Sequence, residues 1–207
     1  MNRYLSEFIG TFFIVFTVGL GSSYGNIFSS WASAGAVIAL TYLGIKTSGA
    51  HFNPAISLAM FMRKKLSGKD LGLYTLFQLA GGGAAAGMVM LLVLDDRYLF
   101  QFTMGRGDFS IQAVAIECLF TFMITLVYLA TTQSKRLRGN DIYGLAIGLA
   151  YLAAWYAGGP VSGGSYNPAM ALPANLIALE VGTLWIYGIG PFAGGALAAF
   201  VSNIYIN

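Results

Sequence analysis

Ser48-Gly49-Ala50-His51-Phe52-Asn53-Pro54-Ala55 and Ser162-Gly163-Gly164-Ser165-Tyr166-Asn167-Pro168-Ala169 are two copies of one device, a Ser-Gly pair followed after three residues by Asn-Pro-Ala. Each copy opens an apolar run too short to cross a bilayer. Asn53 can cap a helix through its side-chain oxygen, and Pro54 suits the first helical position because no amide donor is needed there. Residues 55–62 then read as about two turns of helix, and Asn167, Pro168 and Ala169 begin a second stub that continues through Met170, Ala171 and Leu172. A half-length helix in lipid leaves backbone groups without partners, so both stubs must be sheltered by protein or face a watery cavity. Their positive amino ends are then turned toward whatever passes.

The rest of the chain supplies the shelter. Of its 207 residues 57% are apolar and 9% charged, with a mean hydropathy of +0.70, whereas about a quarter of a soluble domain is charged. Apolar stretches near 5–25, 31–46, 71–94, 111–132, 142–159 and 183–204 each approach the roughly 20 residues that span a bilayer. The expectation is an all-α membrane protein of six transmembrane helices plus two re-entrant half-helices. The first stretch has Glu7 within it and no convincing small-residue cleavage site, so it reads as a retained helix and not a signal peptide.

The net charge of +3 does not indicate a nucleic-acid partner, because the basic residues sit in short connections and not along one face. Arg3, Lys46, Arg63, Lys64, Lys65, Lys69, Lys135, Arg136 and Arg138 fall at the amino terminus and at alternate turns, which the positive-inside bias places in the cytoplasm with both termini. Arg97 and Arg106 share the long third connection with Asp95, Asp96 and Asp108, a loop expected outside. Cys118 is the lone cysteine, so no intramolecular disulfide forms. One histidine and one distant cysteine cannot assemble a metal site. No Ser, Thr or Cys has the partners of a nucleophilic enzyme, and the Gly-rich segments lack a phosphate-loop lysine. The sequence calls for no cofactor. Gly81-Gly82-Gly83, Gly190, Gly194 and Gly195 suit close helix approach in lipid.

The duplication extends beyond Asn-Pro-Ala. The segment from Glu7 through Phe12 resembles that from Glu117 through Phe122, and Gln78-Leu79-Ala80-Gly81-Gly82 resembles Pro191-Phe192-Ala193-Gly194-Gly195, all at nearly one offset. The chain therefore reads as a single membrane channel domain, 1–207, of two repeats, about 1–95 and 110–207. Each repeat holds an odd number of crossings, so the second enters from the opposite face and the two stubs meet amino end to amino end near the midplane. Inverted repeats with broken helices there are a recurring way to build a solute path.

The paired Ser-Gly-x-x-x-Asn-Pro-Ala segments, the glutamates in the first and fourth spans and the internal repeat together resemble the aquaporin and aquaglyceroporin superfamily of major intrinsic proteins, across essentially the whole chain. The resemblance implies a homotetramer in a cell membrane, each subunit with its own pore for water or small uncharged solutes. It also implies that Asn53 and Asn167 donate amide hydrogens to the passing oxygen. Carbonyls of Gly49, Ala50 and His51 on one side, and of Gly163, Gly164 and Ser165 on the other, would form an acceptor ladder. Glu7 and Glu117 would buttress the loops by accepting backbone hydrogen bonds, and His51 would fix its loop, although its titration range leaves pH gating open. Two positive helix ends and two amide donors at the midplane repel cations while orienting neutral dipoles.

One departure stands out. Where most members of that superfamily carry an arginine after the second Asn-Pro-Ala, this chain has Met170, and counting along the repeat gives Ser33, Trp155 and Gly164 as the other constriction residues. That quartet has no fixed cation and leaves an apolar, deformable gate. The expected solutes are then water together with glycerol, urea, ammonia or neutral metalloid acids. Ala171, in place of an aspartate common in glycerol-type members, and Tyr187, an aromatic of water-type members, pull the other way. Two alternatives stay open: a structural or junctional membrane protein with a closed pore, and an ion-conducting channel. The turn near 25–30 is brief, which leaves the 95–110 loop as the adhesive surface for the first; the second would need more intramembrane charge than Glu7 and Glu117.

Overall fold

The computed structural model describes residues 1–23, 28–93, 100–104, 110–137 and 139–206. The acidic and basic residues expected in an external loop, Asp95, Asp96, Arg97, Arg106 and Asp108, lie outside these, as does Arg138. Among the described residues the regular structure is helical: α1 (Asn2–Ser23), α2 (Ser29–Gly44), α3 (Pro54–Met62), α4 (Gly68–Leu92), α5 (Ser110–Gln133), α6 (Tyr143–Ser162), α7 (Pro168–Ile177) and α8 (Leu184–Tyr205), with a single 3-10 turn at Val181–Thr183. Five of the long helices are long and apolar enough to cross a bilayer. The sixth, α2, has 16 described residues, about 24 Å of helix at 1.5 Å per residue.

The half-helices begin where the Asn-Pro-Ala reading puts them, for the local reason it gives. Asn53 is extended, at φ −152° and ψ 120°, and its side chain accepts from the Ala55 amide at 2.8 Å. Asn167, at φ −154° and ψ 111°, accepts from the Ala169 amide at 2.9 Å. Each cap satisfies an amide that the first turn of a helix leaves without a partner. Ser67 does the same for α4, accepting from the Asp70 amide at 3.1 Å, and Asp70 puts a negative charge in the first turn.

Packing follows the duplication. α1 lies along α4 and α5 along α8, while α2 meets α6 across the bundle. Each stub leans on the last long helix of the other half, α3 on α8 and α7 on α4. Glycine makes these approaches close enough. A Cβ at Gly81 would run into the Phe8 carbonyl of α1, and one at Gly194 into the Cys118 carbonyl of α5. Likewise Gly82 admits the Ala169 carbonyl of α7 and Gly195 the Ala55 carbonyl of α3. In hydrocarbon, where burial of apolar surface gives helices no reason to associate, such backbone contact supplies the dispersion energy that holds them.

Candidate functional site

The two loops that lead into the stubs have unusual backbones. Gly49, Ala50 and Phe52 have φ of +91°, +53° and +50°; Gly163, Gly164 and Tyr166 have +85°, +73° and +52°. Glycine adopts this region freely, but Ala, Phe and Tyr adopt it at a cost of about 1–3 kcal/mol each, so neighbouring structure must hold them. Glu7 and Glu117 do the holding. Both are fully buried. Glu7 accepts from the His51 amide at 3.0 Å and the Phe52 amide at 2.6 Å, and Glu117 accepts from the Ser165 amide at 3.0 Å and the Tyr166 amide at 2.6 Å. Further donors complete each carboxylate: Gln78 Nε2 at 2.7 Å for Glu7, and the Ser162 hydroxyl at 2.8 Å for Glu117. With the amides turned to the carboxylates, the loops are fixed from behind.

The stubs meet at their amino ends. Asn53 Nδ2 donates to the Tyr166 carbonyl at 2.9 Å, and Asn167 Nδ2 donates to the Phe52 carbonyl at 2.8 Å. Each asparagine thus caps its own helix through oxygen and clasps the opposite loop through nitrogen. Asn53 is fully buried and Asn167 is 2% exposed.

Cavities open on either side of this clasp. One, of about 730 Å³, is lined by Gly49, His51, Tyr74 and Tyr128 and has Arg3, Lys46 and Lys65 at its walls. The His51 ring is held there through Nδ1 and the Ser57 hydroxyl, 3.0 Å apart, and by Tyr74 at 5.0 Å between ring centroids. The Gly49 carbonyl already accepts from the Tyr128 hydroxyl at 2.7 Å, leaving a second lone pair for another donor. The opposite cavity, about 190 Å³, is lined by Ser33, Trp155, Gly163 and Gly164. Three of the four residues named for the constriction therefore share one cavity wall. Met170 is fully buried and is not part of that wall.

The two constriction side chains on this wall that carry donors are both engaged by protein. Trp155 Nε1 donates to the Gly164 carbonyl at 2.9 Å, and the Ser33 hydroxyl donates to the Ser29 carbonyl of its own helix at 2.8 Å. Tyr187 lies behind the loop, giving its hydroxyl hydrogen to the Ser162 carbonyl at 2.6 Å. Sequence reasoning missed two contributors. Gln101 joins the outer wall with a buried Oε1 that has no partner among the described residues, and its segment is pinned by Asn175, which exchanges two 2.8 Å bonds with the Phe102 amide and carbonyl. Tyr151, one turn before Trp155 on α6, accepts from Asn53 Nδ2 at 3.0 Å. Helical spacing from Trp155 was the available signal for Tyr151; nothing local marks Gln101.

Long apolar helices enclosing two half-helices, joined at their amino ends between two cavities, define a helical membrane channel. The model of the major intrinsic protein family matches residues 1–202, and the chain belongs to that family, whose members are channels and not enzymes. Glycerol uptake facilitator protein-like 6 from Lactiplantibacillus plantarum is 31% identical over 99% of this chain and 98% of its own. Aquaporin NIP1-1 from Oryza sativa subsp. japonica is 29% identical over 99% of this chain and 74% of its own. The X-ray structure of the aquaglyceroporin from Plasmodium falciparum has the same fold, with a TM-score of 0.84 at 21% identity, covering 98% of this chain and 95% of that one. The chain is accordingly a passive membrane channel of the water and small-solute kind.

Proposed function

We propose that the channel carries water together with small uncharged solutes, among them glycerol, urea, ammonia or neutral metalloid acids, and excludes ions where the stubs meet. The observation that carries this reading is the reciprocal clasp of Asn53 and Asn167 on the Tyr166 and Phe52 carbonyls, which sets two positive helix ends face to face. A cation arriving there faces repulsion from both dipoles, with buried protein in place of bulk water, whereas a neutral dipole is turned and passed on. The halves 1–95 and 110–207 act as oppositely inserted repeats, each contributing one stub.

Breadth of solute follows from the outer wall. With Met170 following the second Asn-Pro-Ala, and with the Trp155 and Ser33 donors engaged by protein, a solute meets no fixed cation among the described residues of the outer wall and loses less by being apolar. The similarity to a glycerol uptake facilitator-like protein supports the same reading. The acceptor ladder runs through Gly49, Ala50 and His51 and through Gly163, Gly164 and Ser165, oriented by the left-handed residues of both loops. Arg3, Lys46 and Lys65 at the larger cavity support, through the positive-inside bias, a cytoplasmic location for that end and both termini. We take the assembled form to be a homotetramer in the cell membrane.

Stopped-flow swelling of vesicles reconstituted with the full chain, with water, glycerol and urea in parallel, tests the proposal, and planar-bilayer recording tests charge exclusion. The expected result is flux of water and of at least one larger solute above empty lipid, with no ionic current. Flux no greater than empty lipid, or single-channel currents, would overturn it.

A further inference from the structure

The two asparagines are not equivalent at the midplane. Asn53 has two amide hydrogens and both are engaged by protein, one on the Tyr166 carbonyl at 2.9 Å and one on the Tyr151 hydroxyl at 3.0 Å. Asn167 gives one hydrogen to the Phe52 carbonyl at 2.8 Å, and its Nδ2 makes no second bond among the described residues. The origin lies in the second long helix of each half. On α6 that helix presents Tyr151; at the spacing that separates the two asparagines, α2 presents Val37, buried and without a hydrogen-bonding group.

Tyr151 also adjoins a residue of the outer cavity wall. Its ring lies 5.3 Å from that of Trp155, tilted by 36°, and Trp155 lines the cavity wall. Tyr151 itself is 5% exposed. Its hydroxyl accepts from Asn53, and its own hydrogen has no acceptor among the described residues. Cavity, Trp155, Tyr151 and Asn53 therefore follow one another inward.

We propose that Tyr151 is a second, mid-channel filter element: its hydroxyl takes the place on Asn53 that a solute oxygen would occupy, and its ring limits the cross-section inward of Trp155. The inference rests on the channel reading above and deepens it by assigning to this residue a second step of size discrimination, inward of the outer wall. A solute at the midplane then trades hydrogen bonds with one asparagine, Asn167, and with a hydroxyl able to donate and accept. Water and ammonia fit that exchange. A polyol must displace the ring.

The test is permeability of vesicles containing the wild-type chain, Tyr151→Ala or Tyr151→Phe, with glycerol and water measured on each preparation. Removing the ring raises the glycerol-to-water ratio by about fivefold or more, while Tyr151→Phe keeps that ratio within about twofold of wild type and changes water permeability by about threefold to fivefold, the worth of one net hydrogen bond. Tyr151→Phe is nearly isosteric, so it reports on the site even where Tyr151→Ala fails to fold. If Tyr151 were only a structural clamp on Asn53, both variants would lose stability with the ratio and the water permeability per folded channel unchanged, and that overturns the proposal. A wild-type chain that conducts no more than empty lipid strikes the channel reading itself and removes the inference with it, a result distinct from conducting variants with unaltered selectivity.

Discussion

Trp155 Nε1 is hydrogen-bonded to the carbonyl of Gly164 at 2.9 Å, so the bulkiest residue of the outer wall is tied to the loop that follows its own helix. The ring cannot swing away without breaking this bond, and its donor is withheld from solute. Trp155→Ala is expected to enlarge the outer cavity and raise glycerol and urea permeability, with a smaller effect on water. Trp155→Phe keeps most of the bulk and gives up the bond, at about 1 kcal/mol of stability. Stopped-flow flux and thermal melting in detergent separate the two effects; an unchanged glycerol rate in Trp155→Ala removes this residue from the path.

Met170 is fully buried and follows the second Asn-Pro-Ala, yet stands apart from the outer cavity wall. Met170→Arg introduces a guanidinium that must stay hydrated or be paired, and burying it unpaired costs several kcal/mol. The expected outcome is that the side chain turns into the path and glycerol and urea permeability fall more than water permeability. Equal loss of all three, or no loss, excludes Met170 from the constriction.

Glu117 accepts three hydrogen bonds from groups close in sequence to the second Asn-Pro-Ala: the Ser162 hydroxyl and the Ser165 and Tyr166 amides. Glu117→Gln replaces one accepting oxygen by a donor facing a donor. A buried charge-assisted bond contributes about 1.5–3 kcal/mol, so the variant should melt several degrees lower in detergent, and Glu7→Gln should follow it. Melting temperatures equal to wild type would show that the left-handed loops are held by other means.

Neighbouring glycines on α4 offer a comparison with its own control. A Cβ at Gly82 would collide with the Ala169 carbonyl, a backbone atom that cannot step aside, while one at Gly83 would rest 3.5 Å from Pro173 Cβ, an ordinary contact. Gly82→Ala should destabilise by about 1–3 kcal/mol or more through overpacking. Gly83→Ala should be near neutral. Folded yield and melting temperature check both, and equal behaviour of the pair would argue against close packing of α7 on α4.

The sequence alone carried everything that depends on near neighbours. An asparagine before a proline favours a helix start through local chemistry, and α3 and α7 begin at Pro54 and Pro168 accordingly. Hydropathy likewise marks the long helices because a bilayer acts on each segment independently. Tertiary structure alone decided how those parts address one another. Asn53 and Tyr151 are 98 positions apart, and Phe102 and Asn175 are 73 apart; neither pair leaves a local pattern, because a hydrogen bond is satisfied by whichever group the packed helices bring within reach. The same holds for Trp155, whose size was legible but whose indole bond to Gly164 depends on the left-handed turn that closes α6. Spacing along the chain placed the helices and their caps, and packing between them determined which of their hydrogen-bonding groups remain free for a solute.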